Sequence, residues 1–209
     1  MATEHGRDVD LVLTTRELVR MIRADKLDPA SLPEEPLDDP MGVHTGAGAI
    51  FGVTGGVMEA ALRTACCVLT GQEPSPEQFS QVRTGPGFRE AVYELGGTTL
   101  RCAVVSGLGN ARALMERLRA GKVHYDFVEV MACPGGCVGG GGQPISMDEE
   151  ERAPQRGETL YQLDKKNTIR LSHKNPQVQK LYSEFLGEPL SERAEELLHT
   201  DHTAWEMPH

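Results

Sequence analysis

The chain has 209 residues, of which 39% are hydrophobic, and its 21 Lys and Arg face 31 Asp and Glu for a net charge of −10. That length fits one medium domain or two small ones, and the apolar fraction allows a packed core and excludes a wholly disordered chain. The acid excess argues against a nucleic-acid binder or an anionic-membrane surface, and no run approaches the ~18 consecutive apolar residues of a membrane-spanning helix.

Met1–Asp10 is polar and has no apolar core of a secretory leader, so the expectation is a soluble, cytoplasmic protein. Asp8–Thr14 (DVDLVLT) alternates and then runs apolar, which predicts a strand buried on one side. Thr15 is the expected N-cap of a helix over 16–24, with Leu18, Val19 and Ile22 on one face. Asp28–Pro40, punctuated by Pro29, Pro33, Pro36 and Pro40, predicts a loop. Gly55–Leu69 predicts a helix with Val57, Ala60, Ala61, Thr64 and Val68 at core spacing. Gln72–Gly87 reads as a second polar loop. Ala91–Leu95 and Thr98–Val105 flank Gly96-Gly97, a hairpin signal. Asn110–Ala120 predicts an amphipathic helix stopped by Gly121, and Phe127–Met131 a short strand. This alternation predicts an α/β fold.

Beyond Gln143 the composition changes. Ser146–Gly157 is strongly charged, and Asp148–Arg152 (DEEER) reads as a solvated face. Leu160–Asp164, Pro176–Leu186 and Ser191–His199 then predict three short helices with Leu181, Phe185, Leu197 and Leu198 as the apolar stripe. A boundary near residue 147 divides an α/β segment, 1–147, from a helical C-terminal arm, 148–209, which has too few large apolar residues to stand alone.

Five cysteines, an odd number, argue against a disulfide framework. Cys66, Cys67 and Cys102 fall in a helix and a strand and read as buried structural thiols. Phe127–Pro144 reads FVEVMACPGGCVGGGGQP, with a quarter of the chain's 23 glycines. Thiolates are soft ligands for iron–sulfur clusters, zinc and copper(I). Cys133-x₃-Cys137 sets two sulfurs on one tight turn, because Pro134-Gly135-Gly136 cannot continue a strand or a helix. Backbone N–H groups in such a turn can donate to cluster sulfides. A zinc site would show a second ligand pair. On spacing alone, two structural thiols in a glycine-rich bend remain the alternative. Glu129 reads as a structural hydrogen-bond acceptor ahead of a proton relay, and His199, His202 and His209 as tail histidines ahead of a metal pair.

Glu129–Pro144 resembles the third signature of the iron-only (FeFe) hydrogenases. The resemblance implies one lobe of their H-cluster domain, a small twisted sheet with flanking helices, followed by a small-subunit-like helical arm. It implies that Cys133 binds the 4Fe–4S cubane, that Cys137 binds it and bridges to the diiron subcluster, and that Met131 packs beside the diiron unit. Ile50–Arg63 (IFGVTGGVMEAALR) is similar to the loop and helix lining that pocket, with Phe51, Gly52, Gly55 and Val57 as the implied cofactor contacts. Asp10–Leu18, Ser106–Arg112 and residues 170–200 also resemble the family. Its first signature, like TSCCP, and its second, like MPCxxKxxE, are not in this sequence. With them go two cubane ligands, the proton-transfer cysteine and a lysine that holds a cyanide. The implied partners are a polypeptide carrying those signatures and, through it, ferredoxin or a flavoprotein; a second copy of the chain is a further partner. A split subunit, a fragment, a degenerate paralogue and a relative of the cytosolic iron–sulfur assembly proteins all stay open.

Overall fold

The computed structural model describes residues 2–3, 6–7, 9–36, 38, 41–75, 77–83, 87–145 and 152–199. Two antiparallel two-residue strands, β1 (Ala2–Thr3) and β2 (Gly6–Arg7), open the chain. Helices α1 (Thr15–Ala24), α2 (Gly46–Ala49) and α3 (Gly56–Thr70) precede the sheet. β3 (Phe88–Leu95) and β4 (Thr98–Ser106) form an antiparallel hairpin, and α4 (Leu108–Arg119) crosses over to β5 (Phe127–Met131), which runs parallel to β4. The sheet order is β3-β4-β5. Helices α5 (Ala153–Lys166), α6 (Pro176–Leu181) and α7 (Glu192–Leu198) follow. The fold is α/β, as the alternation predicts. No helix among the described residues is long and apolar enough to cross a membrane.

The hairpin turns on Gly96 and Gly97, at φ 58° and 82°, the two positive-φ positions that a two-residue turn of this hand requires. The main core lies between α3 and the hairpin. Met58, Leu62 and Cys66 pack against Ala91, Tyr93, Leu95, Cys102 and Val104, and Phe79 meets the Tyr93 ring edge-on at 5.0 Å. Thus the face of α3 that enters the core is only partly the expected one: of the expected residues Ala60 is buried. Val57, Ala61 and Thr64 are half-buried and Val68 is 76% exposed, because the hairpin covers the opposite side. The expected polar loop 72–87 likewise sends Phe79 and Val82 into that core.

Two further expectations change. Residues 9–14 form no strand: they pair with no sheet, and Val12 is 83% exposed. The α1 cap is Thr14, one residue early, with Thr14 and Glu17 closing a reciprocal capping box. In the C-terminal part, Leu181, Phe185, Leu197 and Leu198 are all exposed, so the predicted stripe is not a core. Instead Leu171, Leu186 and Ala194 are buried, and Asn175 both caps α6 and donates to the Val43 carbonyl at 2.8 Å. The predicted boundary and most of the DEEER run lie outside the described residues.

A buried ion network locks α5 to α3. Arg63 makes a paired contact to Asp164 at 2.7 and 2.8 Å and reaches Glu59 at 2.7 Å. Arg83 grips the same Glu59 at 2.7 and 2.8 Å, and Arg170 holds Asp164 at 2.6 Å. Burial works to raise the Asp164 carboxyl, but hydrogen bonds from Arg63 and Arg170 prevail and hold it below its ordinary value. Because the folded value is depressed, this stabilisation is present above the ordinary value of 3.8 and is lost as the pH falls through the lower folded value. Asp164→Asn takes the shared acid from Arg63 and Arg170 at a side chain 1% exposed and leaves Arg63 with Glu59 as its remaining acid, a loss of about 3–5 kcal/mol. Chemical denaturation across pH 2–7 should show that loss at neutral pH, and a shallower fall in acid than in the parent chain.

Candidate functional site

The cysteine turn hangs from the C-terminal end of β5. Met131 is the last strand residue, and its carbonyl accepts from the Gly107 N–H at 2.8 Å. Cys133 is half-buried and Cys137 exposed, so both thiols of the turn stand at or near the surface. Gly135 and Gly136 adopt φ 78° and 97°, and Cys137–Gly139 winds into a single 3₁₀ turn. The Gly136 N–H donates to the Cys133 carbonyl, Gly139 to Gly136 and Gly140 to Cys137, each at 3.0 Å, while the Gly135 N–H donates to Ser106 Oγ at 2.9 Å. These four glycine amides are therefore spent inside the protein, which corrects the expectation that they face a cluster. What the glycines provide is room: a side chain at Gly140 would stand 3.8 Å from Cys133 Sγ.

The turn is clasped to the segment before α3. The Thr54 N–H donates to the Gly135 carbonyl at 3.1 Å. A Cβ on Gly136 would lie 2.7 Å from both the Gly52 oxygen and the Thr54 nitrogen, so the two backbones touch there. Phe51 and Gly52 belong to the 3₁₀ turn Ile50–Gly52, and Phe51 is 46% exposed. The structure thus brings Gly52 against the turn that carries both thiols. Gly55 is buried at φ 89°, and a Cβ there would meet the Val82 carbonyl oxygen at 1.8 Å. Val57, half-buried, lines an open apolar groove with Phe51, Ala61, Val68, Leu69 and Leu100.

Glu129 joins these elements from β5. Its carboxylate accepts from the Gly55 N–H at 2.6 Å and the Met58 N–H at 2.7 Å, the structural role expected of it. Burial pushes this carboxyl up, against the pull of the two amides. Beneath the turn, Val138 packs with Ile50, Val53, Ala153 and Tyr161 in a second core cluster. Arg156 of α5 donates to the Val138 carbonyl at 3.0 Å and the Pro144 carbonyl at 2.7 Å. Arg156 and Tyr161 escape a sequence reading because their partners lie across the chain; only the helical spacing of Ala153, Gly157 and Tyr161 hints at a buried face. A cleft of about 600 Å³ beside the turn is lined by Ser106, Asn110, Pro134 and Tyr161.

The remaining cysteines stand apart. Cys66 and Cys102 are buried and Cys67 half-buried, and burial pushes the Cys67 and Cys102 thiols up. No cluster of three or more His, Cys, Asp or Glu converges among the described residues. His199 is exposed, and His202 and His209 lie outside the described residues. Two soft thiols on one uncrowded turn fit half of a four-thiolate shell and no more.

The sequence model of the iron-only hydrogenase large subunit, C-terminal domain, matches residues 1–141, and that of the iron hydrogenase small subunit matches 150–205. The NADP-reducing hydrogenase subunit HndD of Solidesulfovibrio fructosivorans is 48% identical over 193 residues, covering 92% of this chain and 33% of its own length. The cytosolic iron-sulfur assembly component 3 of Mus musculus is 35% identical over 212 residues, covering 97% of this chain and 43% of its own. A solved FeFe-hydrogenase, from work on oxygen inactivation at the 2Fe subcluster of its H cluster, superposes with a TM-score of 0.72 at 39% identity. That match covers 95% of this chain and 57% of the other. The chain therefore spans well under two thirds of these relatives.

Gly136→Ala should loosen the clasp, since φ 97° with ψ −164° is a region held almost only by glycine and the new methyl runs into the Gly52–Thr54 backbone. A loss of at least about 1–3 kcal/mol in urea denaturation is expected. Gly141→Ala, where a Cβ meets nothing within 4 Å, should stay within about 0.5 kcal/mol of the parent.

Proposed function

The chain belongs to the family of the iron-only hydrogenase large subunit's C-terminal domain, and from that premise we propose that it forms one wall of a hydrogenase active site. Cys133 and Cys137 would hold the H-cluster as two of its cubane's four ligands, with Cys137 serving the diiron part as well. Phe51, Gly52, Val57 and Met131 line the diiron side, and Gly55 fixes the start of the helix that carries Val57. When bound, the H-cluster supplies the electron transfer and bond-making of reversible proton reduction to hydrogen. The protein's part is to hold the two thiolates at a fixed spacing, to keep the turn free of crowding side chains and to exclude water with Phe51 and Met131.

The observation that carries this reading is the clasp of the two-thiol turn against the Phe51–Gly52 segment, two stretches some eighty residues apart in sequence. A second polypeptide bearing the first two signatures completes the ligand set and admits electrons from ferredoxin or a flavoprotein. The exposed apolar groove along α3 and the exposed residues Val9, Leu11 and Val12 support such a partner, since extended bare patches mark interaction surfaces. Without that partner the chain is inactive: two cubane ligands, the proton-transfer cysteine and the cyanide-holding lysine are not in this sequence. All five cysteines are free, which suits the reducing cytoplasm.

A cluster-holding protein without hydrogen chemistry is the second reading, and the likeness to the mouse assembly component favours it. Both readings require the same thiols. Anaerobic reconstitution with iron and sulfide should give substoichiometric loading with thiolate-to-iron charge-transfer absorption. Cys133→Ser/Cys137→Ser should remove both signals while leaving the thermal transition in place. Unchanged iron in the double variant contradicts the assignment.

A further inference from the structure

We infer that Glu129 is the positioning residue of the site: its carboxylate ties the ligand strand to the start of α3 and so fixes the Phe51–Gly52 wall relative to the Cys133–Cys137 turn. The inference rests on the reading of those cysteines as cluster ligands. The experiment below separates the two.

Glu129 is 7% exposed, and a carboxylate at that depth is costly unless its charge is compensated. Here the compensation is a helix N-terminus. The two donors, Gly55 and Met58, are the N-cap and the third residue of α3, where unpaired amides and the positive end of the helix dipole coincide. α3 cannot cap itself. Gly55 has no side chain, and neither its φ of 89° nor the Val82 carbonyl 1.8 Å from a would-be Cβ admits one. The cap of this helix has to come from another element, and it comes from β5.

The placement makes the cap a brace. Side chains alternate along a strand, so Glu129 and Met131 share one face of β5, and Cys133 follows two residues on. Glu129 thus fastens the strand just before the turn, and the Thr54 N–H fastens the turn itself at Gly135. Both fasteners end on the segment Thr54–Met58, which contains Val57 and directly follows the Ile50–Gly52 turn that carries Phe51. With the Glu129 tie gone, the Thr54–Gly135 hydrogen bond and the packing of Val138 on Ile50 and Val53 are left to hold the thiol-bearing turn against the wall. Glu129→Gln keeps the size and one acceptor, but its NH₂ then faces a second N–H, so one of the two bonds cannot form.

The test uses the full chain with Glu129→Gln, Glu129→Ala and, as a control that weakens the fold elsewhere, Leu114→Ala, which empties a buried position on α4. Two quantities are read: amide hydrogen exchange over residues 51–58 and 129–137, and iron affinity per folded molecule after anaerobic reconstitution. Glu129→Gln should speed exchange in both segments together and lower iron affinity roughly 10–100-fold, the usual effect of losing a group that orients a metal ligand. Leu114→Ala should lower the thermal midpoint and leave iron affinity per folded molecule unchanged. Glu129 variants that lose thermal stability alone, with local exchange and iron affinity unaltered, overturn the inference. Failure of Cys133→Ser/Cys137→Ser to reduce iron strikes the ligand assignment instead. The exchange data then decide the brace by themselves, coupled loosening of the two segments upholding it and independent behaviour refuting it. Should Glu129→Ala fail to fold, Glu129→Gln decides alone.

Discussion

Everything else in the structure hangs on the buried acids Glu59 and Asp164 and the arginines that neutralise them. Arg63 bridges the two acids, Arg83 brings the end of the 77–83 segment to Glu59, and Arg170 returns the chain after α5 to Asp164. Isolated, any of these charges would be ruinous at such depth; together they are compensated, and each removal strands a partner. The geometric consequence is that α5 cannot leave α3. Because α5 also supplies Ala153 and Tyr161 to the floor beneath Val138, and Arg156 to the Val138 and Pro144 carbonyls, the network ultimately holds up the thiol-bearing turn. What reads in sequence as a charged arm is the support of the site.

Local signals in the sequence were dependable where they depended on near neighbours. The Gly96-Gly97 hairpin, the β5 strand, the Ser191 cap and the length of α3 follow from turn chemistry and spacing within a few residues. The failures involve distant partners. The α3 face was only partly right, with Ala60 buried and Val68 exposed, because an apolar helix presents plausible stripes on both sides and only the hairpin decides which is covered. Asp8–Thr14 has the pattern of a strand and no sheet to join. The exposed C-terminal stripe fails for the same reason: periodicity says that a face is apolar and not that anything covers it.

The site divides in a similar way. Cys133, Cys137 and the glycines between them were legible because thiol chemistry and turn geometry are written in adjacent residues. Glu129 was legible as an acceptor, but its donors, 74 and 71 residues away, were not. The turn's backbone amides were expected to be able to donate to cluster sulfides, and those of Gly135, Gly136, Gly139 and Gly140 are instead consumed within the protein, since a tight bend must satisfy its own backbone before it can serve a ligand.

A braced turn with two thiols and apolar surface left bare along α3 are the features on which the proposal of half a hydrogenase active site rests. The most direct measurement is hydrogen evolution from a reduced viologen donor, with a synthetic diiron precursor supplied. It is made on the purified chain alone and after co-expression with a polypeptide carrying the first two hydrogenase signatures. The account predicts no hydrogen from the chain alone and measurable hydrogen from the pair. Hydrogen from the chain by itself would contradict it.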